Sequence, residues 1–91
     1  MNQNFSTHDL GLATVLVTLG YELLELDKSN SKRVRFVFKR EKDIEQIMSD
    51  YFDDKIKLPA LSLFNNQKNL KNRIYCDADF YFKNGKLFNK N

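Results

Sequence analysis

His8 is the only histidine of the chain and Cys76 its only cysteine, and Asp9 stands beside the histidine. Together they are one base, one nucleophile and one carboxylate, the residue types that covalent catalysis uses. Such a trio works only when its members converge within hydrogen-bond reach, and nothing in the spacing brings residue 76 back to residue 8. The plainer reading is a histidine exposed where a helix begins. Zinc needs three or four ligands, and one cysteine with one histidine leaves the rest to be found among carboxylates. Asp50, Asp53, Asp54, Asp77 and Asp79 form an acidic cluster. A hard cation requires oxygens converging around a loop, usually with a glycine turn, and no calcium-loop pattern is present. These acids read instead as a solvated helix end. Gly11 and Gly20 lack the glycine spacing and the following Lys-Ser/Thr pair of a phosphate loop. No catalytic residue, metal ligand or cofactor site is therefore assigned, and a non-enzymatic protein is expected.

Two basic surfaces carry the remaining chemistry. One is Arg33, Arg35 and Lys39 on the outer face of a strand; the other is Lys68, Lys71 and Arg73 on a helix, with Lys55 and Lys57 just before it. Asn69 and Asn72 lie among the helical cations, and such side chains meet phosphates and base edges. Tyr81, flanked by Phe80 and Phe82, has a ring that can stack on bases. The alternative for the strand cations is internal: Glu22 and Glu25 on the neighbouring strand are in place to pair with them.

The elements that must position these groups are legible in the hydropathy pattern. Asn2 to Ser6 suggests a short extended arm around Phe5, and Thr7 is expected to cap a helix whose first turn holds Asp9. From Leu10 to Leu19 the apolar residues wrap most of the circumference, which predicts a central helix buried on more than one side. Gly20 fits the left-handed position just past its end. Residues 21–27 and 33–39 then read as an antiparallel hairpin. Glu22, Leu24 and Leu26 alternate with Tyr21, Leu23 and Glu25. Val34, Phe36 and Phe38 are expected to cover the first helix, and Arg33, Arg35, Val37 and Lys39 to face away. Glu41 to Phe52 has Ile44, Ile47, Met48 and Tyr51 at helical spacing. Pro59 suits the first turn of a third helix from Ala60 to Tyr75. Leu63, Leu70 and Ile74 form its apolar stripe, with Leu61 and Phe64 beside them, and residues 65, 66, 68, 69 and 71–73 its polar face. Asn84-Gly85, between Phe80-Tyr81-Phe82 and Leu87-Phe88, signals a C-terminal hairpin.

Composition bounds the whole. With 91 residues and 42% hydrophobic content, one core is expected, so residues 1–91 form one α+β domain: a small antiparallel sheet packed on a buried N-terminal helix and two further helices, with residues 77–91 as a hairpin extension. The net charge of +3 from 15 basic and 12 acidic residues is mild, so its distribution matters more than its total. The longest apolar run falls far short of the roughly 20 residues that span a bilayer. A lone cysteine and an N-terminus without a basic segment and apolar core point to the cytoplasm.

The runs THDLGLATVLVTLGYELLELD, RVRFVFKREKDIEQIMSDYF and LPALSLFNNQKNLKNRIY resemble a family of short bacterial proteins, also found in phages and mobile elements, catalogued as a domain of unknown function. Thr7, Asp9, Leu10, Gly20, Phe36, Phe38, Lys71 and Arg73 carry the likeness, which covers about residues 5–75. The 80–88 segment departs from the short ending usual in that family and reads as an added interaction element. The resemblance implies the same order of elements and a prokaryotic or viral setting; it transfers no mechanism. The expected function is a binding module of a bacterial or phage mobile element that contacts nucleic acid or a nucleoprotein complex. The alternative is a protein-directed inhibitor or adaptor, such as a blocker of a host defence nuclease, or a homodimer through a sheet edge.

Overall fold

A computed structural model describes residues 4–30 and 32–75. Cys76, the acids at 77 and 79, Tyr81 and the expected C-terminal hairpin lie outside the described residues. The elements run β1 (Phe5–Thr7), α1 (Leu10–Leu19), β2 (Leu23–Asp27), β3 (Arg35–Phe38), α2 (Ile44–Phe52) and α3 (Ala60–Tyr75). The three strands make one antiparallel sheet in the order β1-β3-β2, and with three helices this is the expected α+β arrangement. The short arm is β1. It pairs Phe5 with Phe38 and Thr7 with Phe36.

Helix α1 is the centre of the molecule. Leu12, Ala13 and Leu16 are fully buried and join Phe5, Phe36, Phe38, Ile44 and Leu70 in the core. That α1 buries several faces follows from its near-continuous apolar sequence, since such a helix gains most when it is covered all round. Its one fully buried polar side chain, Thr14, is satisfied by donating to the Leu10 carbonyl at 2.8 Å, as a buried hydroxyl must be. The expected cap moves by two residues. Thr7 is held extended in the sheet, and its Oγ1 accepts from the Asp9 N–H (3.0 Å). Asp9 is the N-cap: its Oδ1 accepts from the Leu12 N–H at 3.0 Å. Gly20 ends the helix at φ 101°, with its N–H reaching back to Leu16 and Val17, a conformation in which a Cβ is strained.

The facing pattern of β2 departs from simple alternation. Leu23 pairs with Phe38 and Glu25 with Val37, which leaves Leu24 as the extra residue of a β-bulge. The bulge shifts the phase, so Leu23 and Leu26 both pack on the core while Leu24 is exposed. A period-2 reading fails there because one inserted residue exchanges the two faces beyond it. In β3 the expected inner residues Phe36 and Phe38 are buried, and Val34 packs beside them. Val37, expected to face away, is also buried, between its register partners Ser6 and Glu25.

Helix α2 starts at Ile44, three residues later than its sequence suggests. Asp43 adopts φ 69°, and its side chain makes no cap bond; a left-handed residue cannot continue a helix backwards into Glu41. The expected face holds: Ile44 is buried, and Ile47, Met48 and Tyr51 pack on the core. Pro59 stands just before α3, and its carbonyl accepts from the Leu63 N–H at 3.1 Å. On α3, Leu70 is buried and Ile74 packs on the core, but Leu61 and Phe64 are 73% and 63% exposed. They do not belong to the apolar stripe. At 100° per residue Leu61 stands about 180° from Leu70 around the helix axis.

Candidate functional site

Two of the three expected strand cations, Arg35 and Lys39, are engaged by carboxylates. Arg35 lies opposite Asp27 in the ladder, and its Nη2 and Nε both donate to Asp27 Oδ2, at 2.5 and 3.2 Å. Hydrogen bonding from Arg35, helped by Ser29, holds the Asp27 carboxyl well below the usual carboxylate range. Lys39 lies 3.9 Å from Glu41 Oε2. Neighbouring Arg40 donates to Glu45 Oε2 at 2.5 Å and sits over the Phe5 ring at 5.7 Å, tying β1 to α2. The expected partners were Glu22 and Glu25, yet Asp27 and Glu41 take the cations. Position 27 is the register partner of Arg35, whereas the bulge sets Glu25 opposite Val37. Arg33 is exposed, and its side chain has no ion pair among the described residues.

The helical cations are arranged differently. Lys68, Asn69, Lys71, Asn72 and Arg73 are all exposed on α3. The helix contains no aspartate or glutamate, and among the described residues no carboxylate lies within ion-pair distance of Lys68, Lys71 or Arg73. Helical geometry puts Leu61, Phe64, Lys68, Lys71, Asn72 and Tyr75 on the side of α3 that faces away from Leu70; Asn69 flanks it, and Arg73, about 60° from Leu70, is exposed at the edge of the inner side. Tyr75 is 74% exposed. Asn66 on the inner flank and Lys28, just past the end of β2, hold the helix in place. Asn66, expected on the outer polar face, instead donates to Thr18 Oγ1 at 2.9 Å. Lys28 donates to the Arg73 and Ile74 carbonyls at 2.9 and 3.0 Å, a cation placed where the negative end of the helix dipole favours it.

Lys28 and the exposed rings of Phe64 and Tyr75 were not among the site residues expected from the sequence. The Lys28 contact spans 45 residues of chain and has no local signature. Phe64 was recoverable from its angle on the helix. Tyr75 was recoverable too, since it falls in register with Phe64 and Lys68.

His8 is exposed and its Nδ1 donates to the Val34 carbonyl at 3.2 Å, joining β1 to the approach of β3. Among the described residues no group of three His, Cys, Asp or Glu side chains is placed to hold a metal ion; Asp50 instead accepts from Gln46 Nε2 at 2.9 Å. Open grooves are present among the described residues. One of about 370 Å³ is lined by Val15, Tyr51, Asp54, Ile56, Leu58 and Leu63, and one of about 340 Å³ by Leu19, Gly20, Tyr21, Glu41, Lys42 and Ile47. Neither contains His8. The buried side of Tyr51 raises its hydroxyl pKa, with the negative charge of Asp9 adding to the effect, and that hydroxyl donates to Asp9 Oδ1 at 3.3 Å. Tyr21 is raised in the same direction, first by desolvation and then by Asp43 and Glu41, and it donates to the Lys42 carbonyl at 3.1 Å. Both tyrosines act as structural donors. No described helix is long and apolar enough to cross a membrane.

What the geometry isolates, then, is one outward helix face carrying cations without acids and exposed rings at intervals, on a helix that holds no carboxylate of its own. No curated protein and no solved structure matches the chain. A family model does match, over residues 2–76, and the chain belongs to that family, Domain of unknown function (DUF5659).

Proposed function

We propose that this protein is a non-enzymatic binding module whose working surface is the outward face of α3, and that it contacts nucleic acid, alone or within a nucleoprotein complex. One observation carries the reading: Lys68, Lys71 and Arg73 are exposed on a helix with no acidic residue. Cations with no carboxylate partner among the described residues keep their attraction for phosphates, and the counterions they release on contact drive association. Asn69 and Asn72 add neutral donors that bond phosphate oxygens or base edges. Arg33, in the loop before β3, is a further exposed cation with no ion pair among the described residues, while Arg35 and Lys39 act chiefly within the fold. A bacterial or phage mobile-element setting and a cytoplasmic location go with this reading. The resemblance of residues 5–75 and the single cysteine support them.

Fluorescence anisotropy with labelled DNA and RNA, single- and double-stranded, across a salt series tests the proposal. Binding should be strongest at low salt and weaken steadily as salt rises. No binding to any of the four at low salt would end it, because phosphate contacts are strongest there.

A second reading, a protein-directed inhibitor or adaptor, is favoured by Phe52, Leu61 and Phe64, which are 61%, 73% and 63% exposed; large exposed apolar side chains commonly anchor protein partners. Pull-down with and without nuclease treatment separates the two, since a partner that survives digestion is held by direct protein contact.

A further inference from the structure

Phe64, Lys68, Lys71 and Tyr75 are all exposed, and their helical spacing places them within about 60° of arc on α3. Phe64 and Tyr75 stand about 16 Å apart along the axis, with both lysines between them. The order along this face is ring, cation, cation, ring. We infer that this face is a platform for single-stranded nucleic acid, with the lysines on the backbone and the two rings under unpaired bases. The inference rests on the nucleic-acid reading above and specifies its ligand.

Three properties of the face favour a single strand over a duplex. First, a flat ring gains by stacking only on a base whose face is open, and inside a duplex those faces are already occupied; stacking on an exposed aromatic is also indifferent to base identity. Second, the charge is modest. The two lysines on the face match the few phosphates of a short single-stranded segment, whereas a duplex carries twice as many charges per rise and its binders usually show a broad basic stripe. Third, the face is held rigid without involving the residues that would bind. Asn66 bonds Thr18, Lys28 caps the last carbonyls, and Leu70 is buried in the core, so the rings and lysines are presented at fixed spacing and little ordering is required of the protein on binding.

The test uses the full chain and fluorescein-labelled dodecamers: oligo-dT, a mixed-sequence single strand, and the duplex of that mixed sequence. Both single strands should bind at least tenfold more tightly than the duplex at the same low salt. Phe64→Ala and Tyr75→Ala should each weaken single-strand binding by about tenfold, whereas Phe64→Tyr and Tyr75→Phe should retain it. The slope of log K against log salt should be about −1.4, the value for two phosphates of a single strand. Duplex binding equal to or tighter than single-strand binding would overturn the inference and leave the broader nucleic-acid reading standing. Alanine variants that keep the helical circular-dichroism signal and bind single strands within twofold of the parent would overturn it as well. Absence of binding to any of these oligonucleotides would instead remove the nucleic-acid reading on which it rests.

Discussion

Positive charge serves different ends on β3 with its exit and on α3. Around β3 each of Arg35, Lys39 and Arg40 faces a carboxylate, so the charge is answered inside the molecule and holds strand to strand and sheet to helix. Along α3 three cations face water with no acid on the same helix. The two regions look alike as sequence, basic residues interleaved with aromatic ones. Partner geometry makes one of them architecture and leaves the other open for contact, and a count of charges distinguishes neither.

The contrast can be broken most forcefully at the core end of β3. Phe38 is fully buried, so Phe38→Ala should cost about 3–5 kcal/mol of stability, or abolish folding, in urea denaturation. Substitutions at the outward face of α3 should not approach this. A smaller effect is expected at Gly11, where an added Cβ would collide with the Tyr51 hydroxyl and crowd Asp9 Oδ1. Gly11→Ala should lose about 1–3 kcal/mol, and pairing it with Tyr51→Phe, which removes the colliding oxygen, should restore part of that loss in a double-mutant cycle.

The Arg35–Asp27 pair sharpens the comparison through pH. Because the folded state holds the Asp27 carboxyl below its unfolded value near 4, its contribution is fully present above that value and is lost as the pH falls below it. Thermal melts should therefore decline on the acid side, and Asp27→Asn should flatten that decline. The smallest effect is expected on α3 itself: Lys68→Gln with Lys71→Gln should shift stability by no more than about 0.5 kcal/mol per site while weakening oligonucleotide binding at low salt. A large loss of stability there would mean that these lysines, like Arg35, belong to the fold.

Much of the fold could be read from local pattern. Leu10 to Leu19 and Ala60 to Tyr75 appear as helices with the expected ends, because apolar periodicity, Gly20 and Pro59 act within a few residues of where they are written. Errors arose where a local rule met a longer-range constraint. Thr7 was expected to cap α1, but pairing with Phe36 keeps it in the sheet and passes the cap to Asp9. Leu24 was expected to share a face with Leu26, and the bulge parted them. For the candidate site, the identities of Lys68, Asn69, Lys71, Asn72 and Arg73 were legible, since polar residues opposite an apolar stripe face outward. That Arg35 and Lys39 would be engaged by Asp27 and Glu41 was not legible, because cross-strand register decides it.

The sequence alone determined the order and kind of the elements, the burial of α1 and the acid-free composition of α3, since each depends on residues close together in the chain. Only the tertiary structure decided which cations around β3 are answered, by Asp27, Glu41 and Glu45, and how α3 is fastened to the rest of the fold. Those outcomes turn on contacts between segments far apart in the chain, such as Lys28 with the end of α3, and no local propensity encodes a distance across the fold.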